Sequence, residues 1–352
     1  MAEDHDGLSE FSARESGVRG GDADVDVLSD VLRTIRLTAA LFFPLEACSP
    51  WADEIPAAAA LASSIQPTAE HVVSYHIVSE GTCWLTLRRA QPVRLDAGDI
   101  VVIPHGDAYV MSSAPGIRTA IPADAVLTFF KQRASGSATS TVIEDGGGTE
   151  RARLVCGFLG CDIRPFNPVL DALPRLVHLR RTDDMAVNDR LAPLVDFVSA
   201  ESRQRRPGTH VVLLRLSEVL FIEVIRRYLD ALPADRMGWL SGLRDPIAGR
   251  ALALLHHRPA DAWTLERLRS EVGVSRSTLA DRFTQLVGKP PMRYLAHWRM
   301  QVACRLLAGG TAKVSAVAFE SGYQSEAAFS RAFKEVVGMS PAAWRRARGW
   351  RP

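Results

Sequence analysis

Residues Gly322–Gly338 read GYQSEAAFSRAFKEVVG, a stretch with helical local signals and an unusually small outward side. Ser325 can cap a helix start, and Phe329 and Phe333, four residues apart, share one face of that helix. The opposite face carries Glu326, Ala327, Ser330, Arg331 and Lys334. A surface helix that only has to dissolve carries a denser mix of Lys and Glu. The pattern recurs fifty residues upstream. There Ser275, Leu279, Phe283, Val287, Gly288, Pro291 and Tyr294 match Ser325, Phe329, Phe333, Val337, Gly338, Pro341 and Trp344 in order. A constant offset over seven chemically matched pairs marks one supersecondary unit used twice.

In each unit a shorter helix precedes the compact one. Thr264 can cap LERLRSEV (265–272) ahead of the turn GVS (273–275), and VSAVAFES (314–321) precedes GYQ (322–324). Two helices joined by a tight glycine-containing turn form a helix-turn-helix, whose second helix docks in the major groove of DNA. Groove entry explains the compact face: small side chains let the backbone approach the bases, and one Arg can contact guanine bidentately. Between the units runs PMRYLAHWRMQVACRLLAGG (291–310), with Pro291 suited to a helix start and Gly309–Gly310 to its end. A helix of about 17 residues is ~26 Å long, which with packing offsets sets the two second helices near one DNA turn, ~34 Å apart.

The charge distribution agrees. Pro259–Pro352 holds 15 Lys and Arg against 7 Asp and Glu, a net of +8, so the first 258 residues of this +2 chain carry −6. A basic end on an acidic body points to a polyanion partner for that end. Five irregularly spaced cysteines with no C-x-x-C read as reduced, mostly buried thiols of a cytoplasmic protein. The acidic start MAEDHDGLSE is unlike a signal peptide, and no apolar run approaches the ~20 residues that span a bilayer. The expectation is a cytoplasmic protein without a membrane partner.

At 352 residues the chain has room for two domains. Residues 1–24, rich in Asp, Glu, Gly and Ser, read as a disordered tail. From 25 to 182, short β-branched and aromatic runs alternate with Gly, Pro and Asp turns, as in a small barrel or sandwich. Within it, KQRASGSATSTVIEDGGGTE (131–150) reads as a loop-rich insertion. Residues 183–242 form a helical linker and candidate dimerisation segment. Its stripe Leu213, Leu216, Leu220 and Val224 fits packing on the barrel and a dimer seam equally well. DRMGWLSGLRDP (235–246) reads as the linker into a helical end at 243–352. The fold class is α+β: a β-rich barrel, then helices, then an all-α domain with two helix-turn-helix motifs.

The strings SRSTLADRF, GKPPMRYLAHWRM, GYQSEAAFSRAFK and GMSPAAWRR carry a resemblance. From about Asp245 to Arg348 the chain resembles the DNA-binding domain of the AraC/XylS family of bacterial transcription regulators. The resemblance implies base-facing positions at Arg276, Ser277, Ala280 and Asp281 in the first unit and at Glu326, Ala327, Ser330 and Arg331 in the second. Ser275 and Ser325, at helix starts, suit phosphates, and Arg282 and Lys334 complete the DNA-facing set. Two departures stand out: Arg269 replaces the usual small Ala under the first recognition helix, and Ala280 and Asp281 replace longer donors. They imply a first helix that reads bases weakly or through water. Phe283 and Phe333 are expected to anchor their units, so that losing either unfolds the DNA-binding end and leaves the N-terminal domain intact.

GDIVVIPHGDAYV (98–110) fits the spacing of a cupin's second motif, with Tyr109 where a metal-binding His is usual. YHIVSEGTCWLTL (75–87) resembles the strands of sensor cupins attached to AraC-type regulators. No H-x-H is present, so neither a metal nor another cofactor is expected, nor enzymatic activity. An effector pocket lined by Tyr75, His76, Trp84, His105 and Tyr109 is expected instead. The reading is a sequence-specific DNA-binding transcription regulator that responds to a small effector. Its partners would be operator DNA, the effector, a second copy of itself and, for an activator, RNA polymerase. Two alternatives stay open: a metal-dependent cupin enzyme fused to a DNA-binding domain, and a regulator whose cupin only dimerises.

Overall fold

The structure is a computed structural model that describes residues 26–348 apart from 36, 67, 68, 120, 136–140, 182–189, 205, 234 and 235. The expected tail at 1–24 lies outside the described residues. Among the described residues ten strands form two sheets. In chain order they are β1 (Thr38–Cys48), β2 (Ala52–Ile55), β3 (His71–Glu80), β4 (Thr82–Leu87), β5 (Val93–Asp96), β6 (Ile100–Ile103), β7 (Tyr109–Ser112), β8 (Val142–Asp145), β9 (Arg151–Cys161) and β10 (Val177–Leu179). The larger sheet runs β10-β6-β3-β9-β1-β8 and the smaller β2-β7-β4-β5. Pairing is antiparallel except for β1 with β8, where Leu45 stands opposite Val142.

β3 is buried on both faces from Val72 to Val78, with the polar Ser74 and His76 inside as well. Val73, Tyr75 and Ile77 face a helical layer, while Val72 and Val78 face the core between the sheets. The sequence pattern did not separate these two cores. The helical layer begins with α1 (Val27–Thr34), whose start is capped by Asp26. Next come α2 (Ala58–Ile65) and α3 (Ala123–Ala134), which close the inter-sheet core, and the short α4 (Pro168–Ala172). The loop expected over 131–150 is thus partly ordered: its first residues finish α3, and Val142–Asp145 is β8.

α5 (Leu191–Arg203) and α6 (Thr209–Asp230) pack on each other and on the larger sheet. Leu213, Leu220 and Val224 are buried there and Leu216 half-buried, so barrel packing accounts for the leucine stripe. Tyr75 lies across Gly157 of β9, where a Cβ would meet its ring at 2.0 Å, and reaches Ser217 of α6 at 2.5 Å.

The expected linker at 235–246 contains a helix, α7 (Trp239–Arg244), with Trp239 and Leu240 buried. Gly and Arg around it suggested an open connection; two buried apolar side chains make it part of the core. α8 (Ala248–His257) follows. Then come α9 (Leu265–Val272), α10 (Arg276–Val287), α11 (Pro291–Gly309), α12 (Val314–Glu320), α13 (Glu326–Val337) and α14 (Pro341–Arg348). The architecture is α+β, β-rich first and all-helical at the C-terminal end.

Core membership divides the helical end unequally. Leu279, Phe283, Tyr294 and Trp298 join one continuous core with α1, α4, α6 and the outer face of the larger sheet. Phe329, Phe333, Val337 and Trp344 form a separate core with Met300, Cys304 and Leu307. α11 therefore belongs to the first core through its N-terminal half and to the other through its C-terminal half. Among the described residues no helix is long and apolar enough to cross a membrane.

Candidate functional site

The fifty-residue repeat is a structural repeat. Ser275 accepts a hydrogen bond from the Thr278 N–H at 3.1 Å, and Ser325 from the Ala328 N–H at 3.2 Å. Each cap satisfies a free donor at a helix start. Gly288 (φ 77°) and Gly338 (φ 87°) end α10 and α13 in the left-handed region that favours glycine. Leu279, Phe283, Phe329 and Phe333 are fully buried, and Tyr294 and Trp344 close the two units from α11 and α14. Gly273 and Gly322 turn the chain between the paired helices, both at positive φ.

These caps and anchors fix what faces out. Ser275, Arg276, Ser277, Asp281, Ser325, Glu326, Ala327, Arg331 and Lys334 are exposed; Ala280, Arg282 and Ser330 are half-buried. The Arg331 guanidinium and the Lys334 ammonium have no hydrogen bond or ion pair among the described residues. Arg282 differs: its Nε donates to Asp245 at 2.8 Å. Asp245 also accepts from the N–H groups of Ala248 and Ile247, capping α8. Burial pushes the Asp245 carboxyl up, but those backbone donors and Arg282 hold it below its ordinary value. Arg282 therefore braces α10 against α8. Arg269, the departure from the family pattern, is held by Glu266 one turn earlier on α9.

Part of the basic charge is structural as well. Arg258 and Arg267 lie over the Trp263 ring and pair with Glu271. Arg299 of α11 donates to the carbonyls of Pro259 and Asp261. Net charge alone could not separate such braces from free cations.

Inside the first core, Trp239 Nε1 donates to the Tyr294 hydroxyl at 3.0 Å, and that hydroxyl lies 2.8 Å from His256 Nε2. Burial pushes the His256 pKa down to about 3, so the ring is neutral and shares one hydrogen bond with the Tyr294 hydroxyl.

The five residues expected to line one effector pocket do not converge. Tyr75 and His76 are neighbours on a strand and point to opposite faces. Tyr75 meets α6, whereas His76 faces the inter-sheet core, 2.7 Å from the Tyr109 hydroxyl. Burial holds His76 neutral, its pKa down to about 3, and the ring shares one hydrogen bond with the Tyr109 hydroxyl. Trp84 alternates with buried Cys83 and Leu85, half-buried on the other face of β4. His105 is exposed and bonds the Leu173 carbonyl at 2.9 Å. Asp99 of the cupin-like motif is a brace, accepting from His178 and from the Asp96 and Arg181 N–H groups. Among the described residues no three His, Cys, Asp or Glu side chains are grouped to hold a metal.

A chamber of about 230 Å³ lies instead between the sheets and α3. Phe43, Phe129, Phe130, Met111 and Leu154 contribute its apolar wall, and Asp53 and Glu144 its polar side. Asp53 sits on β2 and Glu144 on β8, so only the folded pairing of both with the barrel brings them together.

Residues 26–230 match a family model described as Cupin, and residues 268–347 one described as Helix-turn-helix domain. The chain is 32% identical to an AraC-like transcription regulator of Streptomyces lividans, over 92% of this chain and 98% of that protein. It is 29% identical to the HTH-type transcriptional regulator AlkR of Acinetobacter baylyi, over 91% of this chain and 99% of the relative. Among solved structures it resembles the DNA-binding domain of AdpA, a global transcriptional factor crystallised with a target DNA. That match has 33% identity, covers 29% of this chain and 92% of that one, and has a TM-score of 0.28.

Proposed function

This chain belongs to the AraC-like transcription regulators, and we propose that α10 and α13 enter two successive major grooves of operator DNA while the cupin senses a small effector. The regulator function follows from the family. The observation that carries the assignment of residues is Arg331: exposed and unpaired among the described residues, at the centre of a face otherwise small. Ser325 supports it, because its oxygen caps the helix while its O–H remains free for a phosphate. In the first unit the base reader is Arg276, at the position of Glu326, with Ser275, Ser277 and Ala280 around it and Asp281 standing where the second unit has Arg331. Arg282 contributes by holding α10 in place. Lys334 neutralises phosphate.

The sensing role rests on the chamber between the sheets. Ligand binding there biases the geometry of helices that share a core with the first reader. The exposed outer face of α6, with Val211, Val212 and Val219, supports a homodimer. RNA polymerase is the further partner of an activator. The reading is of a cytoplasmic, non-enzymatic regulator, in which 25–182 senses, 183–242 connects and the remainder reads DNA. Footprinting on DNA upstream of the gene and its neighbours tests it: protection of two adjacent major grooves on one face is expected, and no protected sequence at low salt overturns it.

A further inference from the structure

We propose that the chamber between the sheets and α3 takes an apolar monocation, an aromatic or alicyclic amine whose ring lies among Phe43, Phe129 and Phe130 and whose ammonium pairs with Asp53 and Glu144. The inference rests on the effector-sensing reading and adds the chemistry of the effector.

Three features carry it. The first is size and wall. About 230 Å³ exceeds the roughly 150 Å³ that a dry apolar cavity needs to take benzene, leaving room for one ring and a short arm. The second is the sign of its charged groups. Asp53, Glu54 and Glu144 line the chamber, and no Lys, Arg or His does. Glu54 is turned to Arg118 at 3.5 Å, while the Asp53 carboxyl group has no hydrogen bond or ion pair among the described residues. Burial, reinforced by the charge of Glu144, raises the Asp53 pKa to about 7, and burial raises that of Glu144. Two carboxyls in an apolar wall without a cation resist ionising; a bound ammonium removes that penalty. An anionic ligand would meet the same carboxyls with no cation in the lining itself, Arg133 being engaged by Phe43 and Phe129.

The third feature is the aromatic wall itself. The guanidinium of Arg133 lies 5.0 Å from the Phe43 centroid and 4.8 Å from that of Phe129. Arg133 engages these rings as a cation–π partner, so the chamber offers the ligand's ring the remaining aromatic surface of Phe43, Phe129 and Phe130 and leaves its ammonium to Asp53 and Glu144. The buried Cys156 thiol, which also lines the chamber, has no hydrogen-bond partner among the described residues and offers a soft contact to the ligand.

Calorimetry on the full chain with 2-phenylethylamine, 2-phenylethanol and phenylacetate tests the proposal, since the three share a ring and differ in charge. The amine is expected to bind at least ~10-fold tighter than the alcohol, with phenylacetate weakest. Asp53→Asn should abolish the amine's advantage and leave the alcohol's affinity unchanged, which also reports an intact chamber. Equal binding of amine and alcohol, preference for phenylacetate, no binding of any probe, or an amine affinity untouched in both Asp53→Asn and Glu144→Gln overturns it. Titrating the footprinted DNA with and without the amine separates the two readings. Amine bound at Asp53 without a change in DNA affinity upholds the cation site and overturns effector sensing.

Discussion

Phe166, in the loop after β9, meets Tyr294 of α11 edge to face, with ring centroids 5.6 Å apart. The same ring carries Lys289 over its face at 5.5 Å, and the Phe166 N–H points to buried Gln301 at 3.4 Å. The cupin-like region thereby grips the helix that joins the two DNA readers. Phe166→Ala should cost ~3–5 kcal/mol in urea unfolding of the full chain. An effector should then change DNA affinity less than in the wild type. Unchanged stability would falsify the grip.

Arg331→Ala should cost ~1–3 kcal/mol at one base pair and relax the preference there, as a bidentate guanine contact requires. Lys334→Ala should weaken all sequences alike and reduce the salt slope by about one. Binding to an operator library with single substitutions separates the two. If Arg331→Ala leaves every base preference intact, Arg331 is a phosphate contact.

Arg282→Ala should act on stability rather than on base choice. It strands the Asp245 carboxylate at the start of α8, a loss of ~1–2 kcal/mol given that Arg282 is partly exposed. A shifted base preference with unchanged melting would return Arg282 to the DNA-reading set.

Phe283→Ala and Phe333→Ala should each cost ~3–5 kcal/mol but in different places. Phe283 lies in the core shared with the barrel's outer face and Phe333 in the separate one. The sequence-based expectation that either change unfolds the whole DNA-binding end and spares the rest therefore gives way. Hydrogen exchange should show Phe333→Ala loosening α12–α14 alone, and Phe283→Ala loosening α7–α11 and their contacts with α1 and α4. Identical exchange patterns would contradict two cores.

His76 and His256 are buried and neutral, with pKa values held near 3 against about 6.5 in an unfolded chain. The unfolded state binds more protons between those values, so stability is full above about pH 6.5 and falls as pH drops. Each histidine contributes up to ~1.4 kcal/mol per pH unit. Urea unfolding at pH 7.5 and 5.5 measures the slope, and His256→Gln should reduce it. A flat profile would mean that these rings reach water.

The repeat was legible because cap, apolar anchors and C-terminal glycine recur at fixed spacing, and each is a local requirement of one short helix. The opposed faces of Tyr75 and His76 were legible too, since neighbours on a strand alternate between its two sides. Asp53 and Glu144 carried no such signal. They are 91 positions apart, on strands joined only through the barrel, one of them by the single parallel pairing. The burial of Trp239 and the grip of Phe166 were equally hidden, since a lone aromatic near Gly and Pro looks the same in a loop as in a core.

α11, 19 residues long, contributes side chains to both cores. It acts as a shaft that sets phase as well as distance. One residue inserted in its middle would turn α13 by about 100° about the shaft and move it ~1.5 Å, presenting Arg331 to the wrong side of the duplex. Four residues would nearly restore the angle but lengthen the reach by ~6 Å, close to two base pairs. On the proposed reading of two successive grooves, the spacing of half-sites in the operator is thus written in the length of one helix, and the two can change only together.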